Sequence, residues 1–586
     1  MMSPLQAQPS RMVREARLLQ ALPSEIHTFK LNGWGKAGTG NLCAYFQFRV
    51  GDWVFDGVLV YPSLFPDVPA FIRPRHAENR VSRHQFGGDG VLCLEYGPDN
   101  WVSTFTGADL VRSAHKLLWS ELISYTSPRR LKAPLSRHEL NAAQEARFEP
   151  YRFVLSTGFQ ELLRARAAPG LYPLEIHLSS LDGVRVAVPT CIGDVSKMQV
   201  AEVPASGWPG ACVQAGWLVI AQGEALHSGD LNLQALRAQL GELWPIGARD
   251  ANLAHEYFIV VHSPTNKLRA FQVDASERLT EYHLLDFSND KGGRLPDSFR
   301  PLADAHVAIV GAGSLGGKIA LSMARAGVRR FTLVDEDILG AANLVRNALD
   351  WRSVGFNKVD ALKRDIELVA PGVMVEATQL NIGAQENPGV MARLYDALTE
   401  CSLVIDATAN PHAFLTLSAL CKSAKLPMVW GEVFAGGFGS QMARSRPGLD
   451  GDAASIRACI HAYMAQLEPV LGQEAQDARR YAMAVDGQVL VGSDADVSAL
   501  AASMTQFAID TLCAGEQSEY PVAAYLMGYR KFWEFKQPFD TIPIDCSTAL
   551  LTPETVKLLC PEDVRILEGL QSAMEDGPDA AADTAS

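Results

Sequence analysis

The chain has 586 residues. This length is too great for a single compact hydrophobic core, so we expect two to four domains. Hydrophobic residues make up 48% and charged residues 20% of the chain, which are the values of a globular protein rather than of a disordered or fibrous one. The formal net charge of −14 argues against a general nucleic-acid binder, because neutralising phosphates requires a basic face.

The sequence also predicts no export and no membrane span. The N-terminus lacks a long apolar run with a small-residue cleavage site, and no stretch of about 20 apolar residues occurs. We therefore expect a cytoplasmic location. The ten cysteines form no C-x-x-C pair, so their spacing predicts neither a structural zinc site nor a disulfide framework. Each cysteine is then either a buried apolar residue or a reactive thiol.

Residues 1–150 are predicted to form a small α+β domain. A helix (MVREARLLQAL) precedes two paired strands (AYFQFRV and WVFDGVLVYP), and an apolar helix (GADLVRSAHKLLWSEL) follows a loop-like segment. That segment, HQFGGDGVLCLEYGPDNW, contains Cys93 beside several glycines. A thiol that carries an acyl group must be reachable and needs N–H donors nearby, which a glycine-rich loop offers. A buried strand cysteine is an equally good interpretation of this segment alone.

Residues 151–295 show no pattern typical of catalysis. Three strand-like pieces (GWLVIAQG, EYFIVVHS and LRAFQVD) alternate with polar turns and one helix, LNLQALRAQLGEL. We expect a linker and scaffold domain.

Residues 296–562 are predicted to form an α/β domain with a parallel sheet. HVAIVGAG predicts a strand and tight turn, GGKIALSMARAG a helix and RRFTLVDED a second strand, and SLVIDAT and PMVWGEV predict further strands. A helix over SDADVSALAASMTQFAIDTL should be capped by Ser493 or Asp494, and a strand is expected over YRKFWEFKQPFDTIPID. The acidic, small and polar residues 563–586 should be disordered.

The glycines Gly311, Gly313 and Gly316 form G-x-G-x-x-G between the first strand and its helix. This arrangement permits a tight turn, close approach of the backbone to phosphate, and close packing of the helix. Asp335 closes the next strand, where its carboxylate can accept hydrogen bonds from ribose hydroxyls. On these residues alone, an NAD(H) site is the default interpretation.

The segment after Asp335 favours a triphosphate instead. It carries Asn343, Arg346, Lys358 and Lys363 just beyond the ribose-binding strand. A dinucleotide needs no such group of cations, whereas cleavage between the α- and β-phosphates of ATP builds negative charge on pyrophosphate. We assign Arg346 and Lys358 to the phosphates and interpret Lys363 as a solvated helix residue.

The motifs GAGSLGG, VDED, NLVRN and the lysine of GFNKVDALK resemble, in order and spacing, those of the ubiquitin-activating and ThiF/MoeB-like adenylation family. The resemblance covers roughly residues 305–440. It implies Mg-ATP as co-substrate, a C-terminal glycine-like carboxylate as acyl substrate, and a dimeric core. By motif match, Asp335 would hold the ribose, Asn343 would belong to the same nucleotide site, and Arg346 and Lys358 would hold the phosphates.

One motif departs from the family pattern. The family's Asp-x-Thr-Asp-Asn segment reads DATAN here, with Asp406 and Asn410 retained and Ala409 in place of the magnesium-binding aspartate. Either Asp406 takes over part of the Mg²⁺ binding and of the catalytic role, or the metal binds differently. An inactive domain is the remaining alternative.

The N-terminal region, over roughly residues 40–125, resembles ubiquitin-conjugating enzymes. YPSLFPDVP is similar to their proline-rich stretch, and the spacing from His84 to Cys93 and Trp101 is theirs. The resemblance implies that Cys93 is a catalytic thiol that carries a thioester. The family's His-Pro-Asn motif reads His84-Gln85-Phe86, so the asparagine credited with oxyanion stabilisation is missing.

An activating enzyme needs a second thiol, for which four cysteines follow the nucleotide motifs. Cys513 and Cys560 lie in apolar helical patterns and are interpreted as packing residues. Cys546 lies in the polar turn DCSTA, where we expect an exposed thiol, and is our first choice. Cys459, in RACIHAYMAQL, is the alternative.

A conjugating-like domain before an activating-like one resembles the fused proteins of bacterial CBASS anti-phage operons. This resemblance implies a homodimer, an inactive adenylation-like middle domain, and a cGAS/DncV-like nucleotidyltransferase whose C-terminus is conjugated to lysines of a target protein. Two alternatives stay open at this point. One is a ThiF-type sulfur-carrier adenylyltransferase that does not need Cys93, and the other is an NAD-dependent oxidoreductase.

Overall fold

The chain divides into two compact units, Met1–Arg147 and Phe148–Ser586. The computed structural model describes residues 8–36, 41–76, 81–82, 84–86, 90–126, 143, 146–165, 168–193, 198–200, 203–204, 207–221, 231–245, 256–263, 268–287, 295–467, 482–485, 488–531 and 534–547. The predicted domain boundaries at residues 295 and 562 stay predictions. None of the described helices is both long and apolar enough to cross a membrane.

The first unit is an antiparallel meander between two helices. Its elements are, in chain order, α1 (Pro9–Ala21), β1 (Lys30–Lys36), β2 (Leu42–Val50), β3 (Trp53–Tyr61), β4 (Phe71–Pro74), the hairpin strands β5 (Gln85–Phe86) and β6 (Val91–Leu92), and α2 (Gly107–Thr126). The four long strands pair in sequence order. Strands β2 and β3 and both helices confirm the prediction, whereas β1 was missed because glycine and lysine interrupt its pattern.

A buried carboxylate joins the two helices of this unit. Glu15 of α1 is fully buried and accepts hydrogen bonds from the Gly107 N–H at 2.6 Å and the Tyr61 hydroxyl at 3.1 Å. Arg11 forms an ion pair with it at 2.9 Å. Burial raises the pKa of Glu15 in spite of these partners. Because its acceptor sites are filled, Glu15 fixes the start of α2 against α1 and β3.

The second unit begins with a mixed eight-stranded sheet. Its strands are β7 (Tyr151–Leu155), β8 (Gly170–Leu181), β9 (Val184–Ile192), β10 (Met198–Gln199), β11 (Ala211–Ile220), β12 (Tyr257–His262), β13 (Leu268–Val273) and β14 (Leu279–Asp286). Their order is β10-β9-β7-β14-β13-β12-β11-β8, and helices α3 (Thr157–Ala165) and α4 (Leu233–Leu240) accompany them. The three strands predicted in this region are confirmed. Its interpretation as an inactive adenylation-like scaffold stays a prediction.

A second eight-stranded sheet carries the nucleotide motifs. Its strands are β15 (His306–Val310), β16 (Arg330–Val334), β17 (Met374–Thr378), β18 (Leu403–Asp406), β19 (Met428–Phe434), β20 (Gly439–Ser445), β23 (Ala524–Gly528) and β24 (Thr541–Ile544), and a separate hairpin contains β21 (Ala482–Val485) and β22 (Gln488–Val491). The order is β17-β16-β15-β18-β19-β20-β23-β24. The strands from β17 to β19 are parallel and the rest antiparallel.

The helices of this domain cover the parallel strands. They are α5 (Ser314–Ala326), α6 (Lys358–Val369), α7 (Pro388–Thr399), α8 (Pro411–Ala424), α9 (Ala453–Leu467) and α10 (Asp494–Cys513). Strand β15 is buried along its whole length, which explains its continuous apolar run. Since β15 is flanked by β16 on one side and β18 on the other, the chain reverses its winding there, and a crevice opens beyond the carboxyl end of β15.

Two local predictions have different outcomes. The Ser493 hydroxyl accepts from the Asp496 N–H and caps α10, as predicted. The strand predicted over YRKFWEFKQPFDTIPID is wrong for most of its length, because only Thr541–Ile544 is a strand among the residues described there. The preceding strand Ala524–Gly528 supplies the pairing partner instead. Cys560 and the acidic tail lie outside the described residues.

Candidate functional site

The glycine loop connects β15 to α5 through a turn that only glycine permits. Gly311 has a φ of +92°, and a side chain there would meet the Ala407 carbonyl at 2.9 Å. A Cβ on Gly316 would lie 1.9 Å from the Gly311 carbonyl oxygen. Gly313 differs, since nothing lies within 4 Å of a Cβ placed on it. Gly311 and Gly316 therefore shape the loop, and Gly313 leaves open space at the start of α5.

The first turn of α5 faces this open space. Gly313 is the residue before the helix and makes no side-chain cap. The first N–H groups of a helix that lack a side-chain cap are good anion donors. The loop therefore has the form of a phosphate cradle.

Asp335 follows β16 and is held by the backbone of the glycine loop. One carboxylate oxygen accepts from the Ala312 N–H at 2.8 Å and the other from the Asp337 N–H at 2.8 Å. Burial raises the pKa of Asp335, and the positive charge of Lys358 partly lowers it again. Each oxygen keeps a further lone pair, so the carboxylate can accept hydrogen bonds from the hydroxyls of a ribose.

These residues meet in one cleft of about 770 Å³ including its open mouth, a size typical of small-molecule sites. Gly311, Gly313, Asp335 and Lys358 all line it. The Lys358 ammonium lies at 2.6 Å from the Asp337 carboxylate, and only 10% of its side chain is exposed. A cation held in this way faces the cleft while a neighbouring carboxylate balances its charge.

Asn343 and Arg346 lie outside the cleft lining. The Asn343 side chain accepts from the Gly340 N–H at 2.8 Å and closes its own short 3-10 turn. The Arg346 guanidinium donates to the carbonyl oxygen of Gly492, at 3.3 Å, just before α10. Their assignment to the nucleotide stays a prediction.

Asp406 ends β18 and begins the DATAN turn. It is 4% exposed, and one of its oxygens accepts from the Thr408 N–H at 3.0 Å and from the Thr408 hydroxyl at 2.7 Å. Burial raises its pKa, against the effect of Thr408 and of the charge on Arg457. Ala409 adopts a φ of +51°, and Asn410 caps α8 by accepting from the His412 N–H. The turn therefore places a buried carboxylate directly behind the nucleotide cleft.

The donor atoms near this turn suit a magnesium ion that also binds phosphate. The described residues contain no group of three acidic, histidine or cysteine side chains that could hold a metal. Magnesium usually takes one or two carboxylates together with substrate phosphates. The carboxylates that line the cleft are Asp335, Glu336 and Asp337, together with oxygen atoms of Thr408 and Asn410, and Asp406 lines the smaller pocket beside it.

The sequence-based prediction missed Glu336, Asn381 and Thr408, which also line the cleft. Asn381 lies just beyond the end of β17 and donates to the Glu336 carboxylate at 2.5 Å. A polar side chain at the carboxyl end of a parallel strand was the available signal, because such ends meet at one edge of the sheet.

In the first unit, Cys93 directly follows β6 and is partly exposed. Its N–H donates to the His84 carbonyl at 2.8 Å. The Gln85 side chain accepts from the N–H groups of Val81 and Ser82 and donates to the Gly90 carbonyl. Gln85 thus connects Val81 and Ser82 to Gly90.

The second pair of candidate thiols gives an unexpected arrangement. Cys546 is only 6% exposed, so the predicted exposed thiol is wrong for this conformation. Burial and a hydrogen bond with Cys459 raise its pKa well above the ordinary value. The Cys459 thiol also lies 3.5 Å from the Asp545 carbonyl oxygen. Cys546, the first choice for the second catalytic thiol, and Cys459, the alternative, are therefore neighbours.

Comparison with known proteins supports an adenylation domain in this region. A profile described as the ThiF family matches residues 294–485. Over 136 residues the chain is 33% identical to molybdopterin-synthase adenylyltransferase of Escherichia coli. This alignment covers 23% of this chain and 52% of that protein. Over 150 residues the chain is 36% identical to the uncharacterized protein y4qC of Sinorhizobium fredii, and this alignment covers 25% of each of the two proteins.

The chain thus spans between a quarter and about half of the length of these relatives. A crystal structure of E. coli MccB with AMPCPP and selenomethionine MccA aligns with a TM-score of 0.31 and 17% identity, over 42% of this chain and 66% of that chain. No conclusion follows from a likeness of that size. Residues 294–485 match the ThiF-family model and contain the parallel, Rossmann-like part of the second sheet, as the sequence motifs predicted.

Proposed function

We propose that this chain uses Mg-ATP to adenylate the C-terminal carboxylate of a partner protein and relays the acyl group through two cysteines to a target lysine. The observation that carries the proposal is the single cleft in which the glycine loop, Asp335 and Lys358 meet inside the ThiF-matched region. The chemical partner of such a cleft is a nucleotide with a ribose and a phosphate chain.

The first step is acyl-adenylate formation. A carboxylate oxygen of the partner attacks the α-phosphorus of ATP, the bond from that phosphorus to the bridging oxygen breaks, and pyrophosphate leaves. The free N–H groups at the start of α5 and the ammonium of Lys358 stabilise the negative charge of the phosphates. Magnesium would supply further neutralisation, with Asp406 as the carboxylate that holds it.

The next steps transfer the acyl group between thiols. The Cys546 sulfur attacks the carbonyl carbon of the adenylate and AMP leaves, after which the Cys93 sulfur displaces Cys546. A lysine amine of the target then attacks the Cys93 thioester to form an amide. Because Cys546 is buried and its pKa is raised, its surroundings must open before the first of these transfers. Cys459 is the alternative acceptor.

The biological setting follows from the resemblance of the whole domain order to CBASS fusion proteins. We infer a homodimer, a cGAS/DncV-like nucleotidyltransferase as the activated partner and anti-phage defence as the process. In a dimer, the high effective concentration of the two thiols would favour the transfer from Cys546 to Cys93.

A non-reducing gel after incubation with Mg-ATP and a cGAS/DncV-like nucleotidyltransferase tests the relay. Wild-type protein should form adducts that dithiothreitol removes. Cys93→Ala should keep the adduct on the adenylation domain and lose the amide conjugate, and Cys546→Ala should lose both. Exchange of pyrophosphate into ATP should persist in both variants, because adenylation precedes either thiol.

Three other outcomes would identify a different function. Unchanged conjugation by Cys93→Ala would favour the sulfur-carrier adenylyltransferase, in which the first unit only binds. NADH turnover without pyrophosphate exchange would favour the oxidoreductase. Loss of loading in Cys459→Ala with normal loading in Cys546→Ala would assign the second thiol to Cys459.

A further inference from the structure

Helix α9 and the segment after strand β24 bring two thiols together. Cys459 lies in α9, and Cys546 is the second residue after β24. Both are free thiols, and both side chains pack in one apolar cluster. Two reduced cysteines from segments far apart in the sequence therefore share one environment.

The position of Asp545 limits the distance between them. The Cys459 thiol donates at 3.5 Å to the carbonyl oxygen of Asp545, whose peptide bond leads directly into Cys546. Standard peptide dimensions put that oxygen about 3 Å from the α-carbon of the next residue, so the Cys459 sulfur lies at most about 6.5 Å from the Cys546 α-carbon. Burial and the side-chain interaction with Cys459 raise the pKa of Cys546, which also requires neighbouring sulfurs. The pair thus has the proximity that a disulfide needs.

The two thiols differ in their access to solvent. Cys459 is partly exposed, whereas only 6% of Cys546 is exposed. A dissolved oxidant therefore reaches Cys459 first, because oxidation of a cysteine depends on its exposure. Cys546 does not meet the oxidant directly, but it lies beside the sulfur that does. This is the arrangement of an oxidised cysteine and its resolving cysteine.

Three other cysteines show these properties separately. Cys401 and Cys421 belong to the same apolar cluster as Cys546, but each is only 3% exposed, so an oxidant has little access to either. Cys212 is exposed, and its thiol donates to the carbonyl oxygen of Leu178 on strand β8. They provide internal controls for burial and for exposure.

We propose that Cys459 and Cys546 form a reversible disulfide when the protein meets hydrogen peroxide. The Cys459 sulfur attacks the peroxide, the O–O bond breaks, and water leaves as Cys459 becomes a sulfenic acid. The Cys546 sulfur then attacks the Cys459 sulfur, the S–O bond breaks, and the hydroxyl leaves with the Cys546 proton as water. The two thiols lose two electrons and two protons, and the peroxide becomes two molecules of water.

The bond would stop acyl transfer from the adenylate. This consequence rests on the proposed function, in which Cys546 or its alternative Cys459 accepts the acyl group. One disulfide consumes both thiols, so loading stops whichever of them is the acceptor. Neither residue lines the nucleotide cleft, so adenylate formation should continue. A small thiol such as glutathione would restore both cysteines by thiol–disulfide exchange.

Peptide mapping of the full chain tests the disulfide directly. The protein is treated with excess hydrogen peroxide and unfolded in the presence of N-ethylmaleimide, and its tryptic peptides are compared before and after reduction. Most chains should yield one cross-linked pair of peptides, containing Cys459 and Cys546, that is lighter than the two separate peptides by two hydrogen atoms. Cys401 and Cys421 should be recovered as thiols, because both are buried.

Dimedone, which captures sulfenic acids, tests the order of the two steps. In wild-type protein Cys459 should carry little dimedone, because Cys546 consumes its sulfenic acid. In Cys546→Ser that acid has no resolving thiol, so dimedone labelling of Cys459 should rise roughly fivefold or more. Labelling of the exposed Cys212 should be the same in both proteins.

Thioester loading tests the consequence for function. It is measured in Cys93→Ala, in which the proposed adduct stays on the adenylation domain. After peroxide treatment and removal of the peroxide, loading should be lost while pyrophosphate exchange persists. Treatment with dithiothreitol, followed by its removal, should restore loading.

The inference is overturned if peroxide leaves the two peptides unlinked, if dimedone labels Cys459 equally in wild type and Cys546→Ser, or if cross-linked protein still loads. The wild-type map decides the first point even if Cys546→Ser fails to fold. Failure of the proposed function has a different signature, namely that reduced protein forms no thioester although peroxide links the two peptides.

Discussion

The thiol of Cys459 in helix α9 donates at 3.5 Å to the carbonyl oxygen of Asp545, the residue that follows strand β24 and directly precedes Cys546. Both were candidates for the second catalytic thiol on sequence grounds. Cys546 is buried, whereas Cys459 is partly exposed. Both side chains pack in the same apolar cluster, so Cys459 contributes to the surroundings that bury Cys546.

Alkylation rates should reveal this dependence. At neutral pH we expect iodoacetamide to label Cys546 at least tenfold more slowly than the exposed Cys212, because burial raises its pKa and blocks access. Cys459→Ala removes the hydrogen bond and opens space, so labelling of Cys546 should become several times faster. Peptide mapping by mass spectrometry measures both rates, and equal labelling of Cys546 and Cys212 would contradict the buried arrangement.

Replacing Asp335 should weaken nucleotide binding through the ribose. Asp335→Asn cannot accept from both the Ala312 and the Asp337 N–H groups, since one of its side-chain atoms becomes a donor. We expect ATP affinity to fall about 10- to 100-fold, in line with the loss of hydrogen bonds to a charged acceptor. Calorimetry with ATP and with 2′,3′-dideoxy-ATP should show that wild type discriminates between them and the variant does not.

Asp350→Asn is the control for this comparison. Asp350 is exposed, pairs with Arg352 at 2.7 Å and lies outside the cleft lining. Its ATP affinity should equal that of the wild type. If Asp335→Asn also binds ATP normally, the assignment of Asp335 to the ribose is wrong.

Two glycines of the same loop should respond differently to alanine. In Gly316→Ala the new Cβ would lie 1.9 Å from the Gly311 carbonyl oxygen, so the loop must shift at a cost of about 1–3 kcal/mol. The melting temperature should fall by several degrees. Gly313→Ala meets no atom within 4 Å, so it should melt like wild type and instead lose about tenfold or more in ATP affinity. Thermal unfolding and calorimetry separate the two effects, and equal stability of the two variants would contradict the loop geometry.

The buried Asp406 should make stability depend on pH. Because burial raises its folded pKa above the ordinary value of 3.8, the folded state holds this proton more tightly than the unfolded chain. The contribution to stability is complete below about 3.8 and is lost as the pH rises through the folded pKa. Asp406→Asn removes this loss, so its melting temperature relative to wild type should increase between pH 4 and pH 7.

For Asp350→Asn, the melting temperature relative to wild type should change with pH in the opposite direction. The hydrogen bond from Arg352 lowers the pKa of Asp350, so its small contribution is present at neutral pH and lost on acidification. A difference between Asp406→Asn and wild type that is constant with pH would contradict a raised pKa at Asp406.

Local patterns were sufficient to predict the adenylation core. The apolar runs of β15, β16 and β18, the glycines between β15 and α5, and the cap at Ser493 each follow from interactions between residues close in sequence. The same holds for strands β2 and β3 of the first unit. Where composition was ambiguous, as in β1 and after Gly528, pairing with another strand decided the structure.

The amino-acid sequence by itself predicted Gly311, Asp335 and Lys358 as nucleotide-binding residues, since they belong to motifs with a characteristic spacing. Only the tertiary structure decided the environment of distant groups. It places Cys459 in the same apolar cluster as Cys546, and it leaves the Trp430 indole N–H and the Gln441 side-chain oxygen without a hydrogen-bond partner among the described residues. Burial, pKa and pairing depend on atoms contributed by remote segments, which no local pattern specifies.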